Sequence, residues 1–137
     1  MKITEITENK KKYIDLLLLA DEDERMIDRY LTRGRMYVLD DGGVKCECVV
    51  TDEGNGVLEI KNIATSPEHQ RKGYARALID FIVNEYENEF SLLPSRKGIE
   101  LIRFRKIDLF PILHRILLKY LYIPQRIWLV YEKIYSF

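Results

Sequence analysis

Alternating and helical patterns of apolar residues fill the first two thirds of the chain and predict its secondary structure. Residues 2–6 alternate and predict a strand. Apolar residues at helical spacing predict one helix over about 9–20 and a second helix that Asp21 caps and that ends at Gly34. A three-stranded antiparallel meander follows, with strands over 36–39, 44–51 and 57–65 and turns over 40–43 and 52–56.

The most regular element is a helix that begins after Gly73. Its apolar residues form one continuous stripe, so we assign this stripe to core packing and give it no chemical role. A short buried strand is predicted next, over Phe90 to Leu93. The stripe consists of Ala75, Leu78, Ile79, Ile82, Val83 and Tyr86.

A basic loop, Gln70-Arg71-Lys72-Gly73-Tyr74-Ala75, joins the 57–65 strand to this helix. The first N–H groups of a helix have no partner within the helix, and the helix dipole adds partial positive charge at the same end. Gly73 lets the main chain approach a ligand because it has no Cβ. Together with the two cationic side chains, these features predict a site for a phosphate group. The alternative is an ordinary basic helix start.

This loop resembles motif A of the GNAT N-acetyltransferases, which reads Gln/Arg-x-x-Gly-x-Gly/Ala, with Gln70, Gly73 and Ala75 in the three defined places. The order of predicted elements also resembles a GNAT domain over roughly residues 1–93. The resemblance implies an α+β fold with a mostly antiparallel mixed sheet flanked by helices. Residues 16–38 look like a bacterial subgroup often labelled indoleacetate acetyltransferase-like, a label that says little about the true acceptor.

The resemblance implies acetyl-CoA as co-substrate. In the family, the strand that ends at residues 63–65 splays from its neighbour, and its main-chain groups pair with the amides of pantetheine; Ile63 and Thr65 would take that role here. The cofactor-binding residues implied by the resemblance are Ile63, Ala64, Thr65, Gln70, Arg71, Lys72, Gly73, Tyr74 and Ala75.

Glu59 is the candidate catalytic base, because some GNAT members carry a glutamate eleven residues before the loop glutamine. An amine with a pKa of about 10.4 is almost fully protonated at neutral pH, so a positioned base accelerates transfer. The alternative is a solvent-facing glutamate that faces or flanks Lys61. Asn62 would share a face with Leu58 and Ile60 under strict alternation, and a structural role is favoured over a catalytic one.

The general acid is left unassigned. Phe104 stands where the family has a tyrosine, and it has no proton to give. Tyr120 and Tyr122 are candidates, although packing is the simpler role for both. His69 is interpreted as an exposed loop residue beside the cofactor.

Composition narrows the class of protein. The 137 residues are enough for a single domain, 1–137, and 22 basic and 22 acidic residues give no overall case for nucleic-acid binding. Cys46 and Cys48 share one strand face and read as buried thiols, and no metal site is predicted. The N-terminal residues lack the apolar segment of a signal peptide, and residues 16–20 are too few to span a bilayer, so we expect a soluble cytoplasmic protein with no membrane partner.

The composition changes from Pro94 onward. Residues 1–89 carry 13 basic and 19 acidic groups, whereas 90–137 carry 9 and 3, and Gly98 is the only glycine of the last 48 residues. A helix over 112–121 and a strand over 127–131 are predicted in this atypical part. Two explanations stay open: divergence that gives a different acceptor side, or a reading-frame shift near residue 94. Coding DNA of close relatives that reproduces 94–137 in frame would refute the shift.

The leading hypothesis is an acetyl-CoA-dependent N-acetyltransferase that acts on a primary amine of a small molecule or a protein by direct attack. The alternative is a non-catalytic acyl-CoA-binding or interaction module with a degenerate acceptor site. A third interpretation makes 96–133 a basic surface for nucleic acid or anionic membrane, and the high apolar content of that segment disfavours it. The acceptor and the oligomeric state, including a homodimer, stay open.

Overall fold

The computed structural model describes residues 1–91, 101–104 and 128–130, and its strands form one sheet in chain order. β1 to β4 are antiparallel neighbours, whereas β5 runs parallel to β4 and β6 runs parallel to β5. This mostly antiparallel mixed sheet confirms the predicted α+β class. The strands are β1 (Lys2–Ile6), β2 (Arg35–Asp40), β3 (Val44–Gly54), β4 (Val57–Thr65), β5 (Leu101–Phe104) and β6 (Trp128–Val130).

Two short helices connect β1 to β2. A 3₁₀ turn, Lys10–Tyr13, leads into α1 (Ile14–Ala20), so the single helix predicted over 9–20 is divided. α2 (Glu24–Leu31) is capped by Asp23, whose Oδ1 accepts from the Arg25 amide at 2.9 Å. The predicted cap, Asp21, was wrong by two residues. A cap must immediately precede the first helical residue for its carboxylate to reach the amides of the first turn.

Each face of the sheet carries its own apolar core. One core lies beneath α1 and α2 and contains Leu17, Ile27, Tyr30, Leu31, Met36, Val38 and Val49. The other lies beneath α3 (Tyr74–Ser91) and contains the predicted helical stripe, together with Tyr37, Leu39, Cys46, Cys48, Val50, Leu58, Ile60 and Ile63. The two cysteines are buried, unbridged and on the same face, as predicted.

A β-bulge in β4 reverses the alternation of its side chains. Val49 pairs with Asn62 and Val50 pairs with Ile60, so Lys61 is an extra residue with no partner in the register with β3. Ile60 therefore faces α3, whereas Asn62 lies opposite Val49 on the α1 face. Strict alternation placed Asn62 with Leu58 and Ile60, and that prediction was wrong because it allowed for no bulge.

Beyond residue 89 the sequence predictions were less accurate. Phe90 and Ser91 belong to α3 and not to a strand, and the other two residues of the predicted strand, Leu92 and Leu93, lie outside the described residues. β5 was not predicted. Trp128–Val130 lies within the predicted 127–131 strand. The predicted helix over 112–121, with Tyr120, and the residues at 105–108 and 122 lie outside the described residues.

Arg35, in β2, forms hydrogen bonds both to β1 and to the C-terminal half of α3. Its guanidinium contacts both carboxylate oxygens of Glu5, at 2.9 and 2.8 Å, and Glu89 Oε2 at 2.7 Å. It also lies 4.9 Å from the ring centroid of Tyr86. Bidentate pairing and stacking on an aromatic ring are both specific to the planar guanidinium group. These contacts fix the helix whose first turn follows the basic loop.

Candidate functional site

The basic loop has the backbone geometry of an anion-binding turn. Arg71 and Gly73 have φ of 64° and 86°, and Lys72 between them is not in the positive-φ region. When successive residues alternate between left-handed and right-handed backbone conformations, their N–H groups point toward one place and can bind an anion together. The main-chain oxygen of Gly73 accepts from Ala77 at 3.0 Å, so the first hydrogen bond of α3 begins in the loop. Among the described residues, no atom lies within 4 Å of where a Gly73 Cβ would stand, so this part of the structure leaves the main chain open.

Side-chain hydrogen bonds hold the loop from three directions. Gln70 Nε2 donates to the main-chain oxygen of Thr65 at 3.3 Å, which ties the loop to the end of β4. The Tyr74 hydroxyl donates to Asp41 Oδ2 at 2.7 Å and so fixes the start of α3 to the β2–β3 turn. Ser66 Oγ and His69 Nδ1 are 2.8 Å apart within the turn. The loop therefore has a defined conformation before any ligand binds.

The end of β4 presents an open main-chain edge. β5 pairs with β4 only as far as Ile60, and no other strand of the described residues pairs with the outer edge of 61–65. The Ser66 amide donates to the Lys45 oxygen at 2.9 Å, so Ser66 and Lys45 are a hydrogen-bonded pair of the antiparallel ladder. Hydrogen-bonded pairs alternate in such a ladder, so the N–H and C=O groups of Ile63 and Thr65 face away from β3. Gln70 already reaches the outward oxygen of Thr65.

Glu59 belongs to a chain of alternating charges on the α1 face of β3 and β4. Lys61 Nζ lies 2.9 Å from Glu59 Oε1 and 3.4 Å from Glu53 Oε1. Arg33 Nη2 lies 2.9 Å from Glu53 Oε1. The Thr51 hydroxyl donates to the same Glu53 oxygen, and this hydrogen bond, with the two cations, lowers the pKa of Glu53 to about 2. Glu59 and Lys61 are 12% and 13% exposed, so both side chains reach the surface.

Asn62 ties β4 to both N-terminal helices. It is fully buried, and its Nδ2 donates to the Leu17 oxygen at 2.9 Å and to the Tyr30 hydroxyl at 2.8 Å. The Tyr30 hydroxyl in turn donates to Asp21 Oδ2 at 3.4 Å. Asn62 Oδ1 has no hydrogen-bond partner among the described residues. These contacts support the structural role that was favoured for Asn62.

Glu47 is a buried carboxyl group that the sequence interpretation overlooked. It pairs with Val38 and Ala64 across the sheet and is fully buried, and neither of its oxygens has a hydrogen-bond partner in the described part of the chain. Burial raises its pKa to about 8, and the nearby Ala64 amide offsets part of that increase. The sequence did contain a signal for it, because Glu47 is a charged residue between Cys46 and Cys48 in a mostly apolar strand.

The predicted site residues form two adjacent groups. Arg71, Lys72 and Gly73 are exposed, and Ala75 is buried beneath the first turn of α3. Ile63, Ala64 and Thr65 lie at the open edge, with Gln70 bridging the edge to the loop; Tyr74 lies at the helix start. Glu59 lies on the same strand beyond the bulge. Within the ranges that the structure covers, no group of three or more His, Cys, Asp or Glu side chains could hold a metal ion.

The family profile described as "Acetyltransferase (GNAT) domain" matches residues 32–110, which is more than half of the chain. The chain belongs to the GNAT acetyltransferase family. The matched segment contains the open edge and the basic loop, and it continues past residue 93, where the resemblance seen in the sequence stops. No curated protein sequence matches this GNAT chain.

Three solved GNAT structures are similar to about two thirds of this chain. A GNAT family acetyltransferase from Elizabethkingia anophelis with acetyl-CoA bound is 31% identical, with a TM-score of 0.60, over 65% of this chain and 59% of its own. An IAA acetyltransferase from Bacillus cereus is 37% identical, with a TM-score of 0.56, over 61% and 56%. A Bacillus subtilis acetyltransferase in complex with CoA is 28% identical, with a TM-score of 0.53, over 66% and 59%.

The chain spans less than three fifths of the length of each of these three GNAT proteins. One of these three relatives is an IAA acetyltransferase, which is the label of the subgroup that residues 16–38 resemble. Among the described helices of this GNAT chain, none is long and apolar enough to cross a membrane.

Proposed function

We propose that this protein binds acetyl-CoA at the basic loop and the open edge of β4, and that it transfers the acetyl group to a primary amine of a small molecule or a protein. The observation that carries the proposal is the continuity of these two features. The outward main-chain groups of Ile63 and Thr65 lead directly into the loop whose N–H groups converge between Arg71 and Gly73.

The two features suit the two ends of the co-substrate. The diphosphate needs N–H donors and positive charge, which the loop, the start of α3, Arg71 and Lys72 supply. The pantetheine amides need an unpaired strand edge. The edge of residues 63–65 provides the N–H and C=O groups of Ile63 and the N–H of Thr65, whereas Gln70 already donates to the Thr65 oxygen. The open space around Gly73 allows the diphosphate to approach the main chain. Structures of two similar GNAT proteins contain acetyl-CoA or CoA.

Glu59 is the proposed base for the acceptor amine. It lies on the strand that presents the open edge, and its side chain is 12% exposed on the α1 face. The base takes a proton from the ammonium group, and the amine lone pair attacks the acetyl carbon. The carbon–sulfur bond then breaks with its electron pair on sulfur, and a second proton from the nitrogen goes to sulfur, so the products are the neutral amide and the free CoA thiol. A positioned base of this kind contributes about 10²–10⁴-fold.

One observation favours the second candidate, a non-catalytic acyl-CoA-binding module. Lys61 Nζ already contacts Glu59 at 2.9 Å, so the carboxylate that would accept a proton is engaged with a cation in the free protein. Phe104, which stands where the family has its usual proton-donating tyrosine and has no proton to give, supports the same alternative.

Calorimetric binding of acetyl-CoA, combined with a thiol-release assay on a panel of amines, tests both candidates. The transferase requires micromolar binding and release of one thiol for each acetylated amine. Binding without thiol release on any amine of the panel would leave only the module. No binding of acetyl-CoA or CoA would contradict both.

A further inference from the structure

Lys61 places a primary amine in contact with Glu59, the proposed base. It is the extra residue of the β4 bulge, and its ammonium group lies between the carboxylates of Glu59 and Glu53 at 2.9 and 3.4 Å. Lys61 lies two residues before Ile63 in β4, and the main-chain N–H and C=O groups of Ile63 face away from β3. One short stretch of β4 thus carries a primary amine, a carboxylate that is the proposed base, and the main-chain edge proposed to bind acetyl-CoA.

We propose that Lys61 is itself an acetyl acceptor, modified on Nζ by transfer within the same protein molecule. This inference rests on the proposed function, because it requires acetyl-CoA on the β4 edge. Glu59 accepts a proton from the Lys61 ammonium, the Nζ lone pair forms a bond to the acetyl carbon, and the carbon–sulfur bond breaks. The electron pair and a proton go to sulfur, so CoA leaves as the free thiol and Lys61 becomes a neutral amide.

Two features of Lys61 favour its reaction: it contacts the proposed base Glu59, and it lies on the strand that presents the proposed acetyl-CoA edge. An ammonium group must lose a proton before it can attack a carbonyl, and Lys61 contacts Glu59 directly. A nucleophile within hydrogen-bonding distance of its base, with the base held in place, is the arrangement that nucleophilic attack requires. Attack within one molecule also gains effective molarity over attack by a free amine. Lys2, by contrast, is exposed on β1.

Acetylation would change the row of alternating charges on the α1 face. This row consists of Arg33, Glu53, Lys61 and Glu59. It would remove the positive charge of Lys61, so Glu59 would lose that ammonium contact while Glu53 would keep Arg33 at 2.9 Å. Self-modification would therefore alter the carboxylate that the proposed function uses as its base.

The test incubates the full chain with acetyl-CoA and no added amine, and follows each lysine by peptide mass spectrometry while calorimetry follows acetyl-CoA binding. We expect Lys61 to be acetylated at least tenfold faster than Lys2, at a rate independent of protein concentration. Lys61→Arg keeps a cation beside Glu59 and should bind acetyl-CoA without gaining that modification. Glu59→Gln should slow the reaction, and Lys2→Arg should leave Lys61 acetylation unchanged.

Three results would overturn the inference. Acetyl-CoA binding with Lys61 unmodified would refute self-acetylation and leave the proposed function intact. Equal acetylation of Lys61 in Gly73→Asp, whose loop should not bind the co-substrate, would indicate chemical acetylation from solution. Absence of acetyl-CoA binding in the unmodified chain would refute the inference and the proposed function together.

Discussion

The side-chain amide of Asn62 donates a hydrogen bond to the main-chain oxygen of Leu17 at 2.9 Å, and this bond joins the central strand β4 to α1. The second hydrogen of the same amide goes to the Tyr30 hydroxyl, so one side chain connects β4 to both N-terminal helices. The β4 bulge makes these contacts because it turns Asn62 toward the α1 face.

Asn62→Ala should destabilise the protein by about 2–4 kcal/mol, because it leaves the Leu17 oxygen and the Tyr30 hydroxyl buried with one partner fewer each. Urea denaturation measures the change. Tyr30→Phe removes one of the two Asn62 bonds together with the longer Tyr30–Asp21 bond, and it leaves the bond from Asn62 to Leu17 in place. In the double mutant the two losses should not add, and simple additivity would contradict a shared network.

Glu47→Gln should stabilise the protein at pH 7.5 and have much less effect at pH 5.5. The pKa of Glu47 is raised from 4.5 to about 8 in the folded state, so the folded state binds this proton more tightly than the unfolded state. Stability is then highest below pH 4.5 and falls as pH rises toward 8. The expected loss between pH 5.5 and 7.5 is about 2–3 kcal/mol, which glutamine removes.

Denaturation midpoints at the two pH values measure this difference. Glu22→Gln makes the same substitution at an exposed position and serves as the control. If Glu47→Gln and the parent chain lost stability in parallel between pH 5.5 and 7.5, Glu47 would not be the group responsible.

Gly73→Asp should abolish acetyl-CoA binding with a loss of stability of at most about 1 kcal/mol. The added carboxylate would stand at the proposed anion site, where the open space accommodates it, while φ of 86° adds a small strain. Gly73→Asn is the matched control, because it has the same shape without the charge. Calorimetry should show weaker binding for aspartate than for asparagine, and equal binding would contradict an anion site here.

Glu59→Gln should lower kcat by about 10²-fold or more while leaving acetyl-CoA affinity unchanged, because it removes only the proposed base. The test is steady-state kinetics on the best amine of the panel. Glu53→Gln removes a carboxylate from the same row of alternating charges, next to Lys61, without removing that base. A similar loss of kcat in both variants would indicate a general electrostatic effect instead.

Local patterns predicted most of the described fold because neighbouring residues determine them. β4 was predicted with its observed bounds, and the stripe that begins at Ala75 identified α3. The error at Phe90 shows the limit of this approach, since a short, mostly apolar segment such as residues 90–93 fits a strand or a helix end equally well. β5 pairs with residues more than forty positions earlier in the chain, and its four residues carry no strong local pattern.

The sequence by itself predicted the candidate anion site, because the features proposed to bind phosphate are the order Gln70 to Ala75 and a glycine where the main chain must be open. Only the tertiary structure decided the positions of Lys61, Asn62 and Glu47. An extra residue in β4 changes which face a side chain occupies, and the partners of a buried side chain come from distant segments. Contacts such as Lys61 with Glu53 and Asn62 with Leu17 depend on strand register and helix packing, which no local pattern contains.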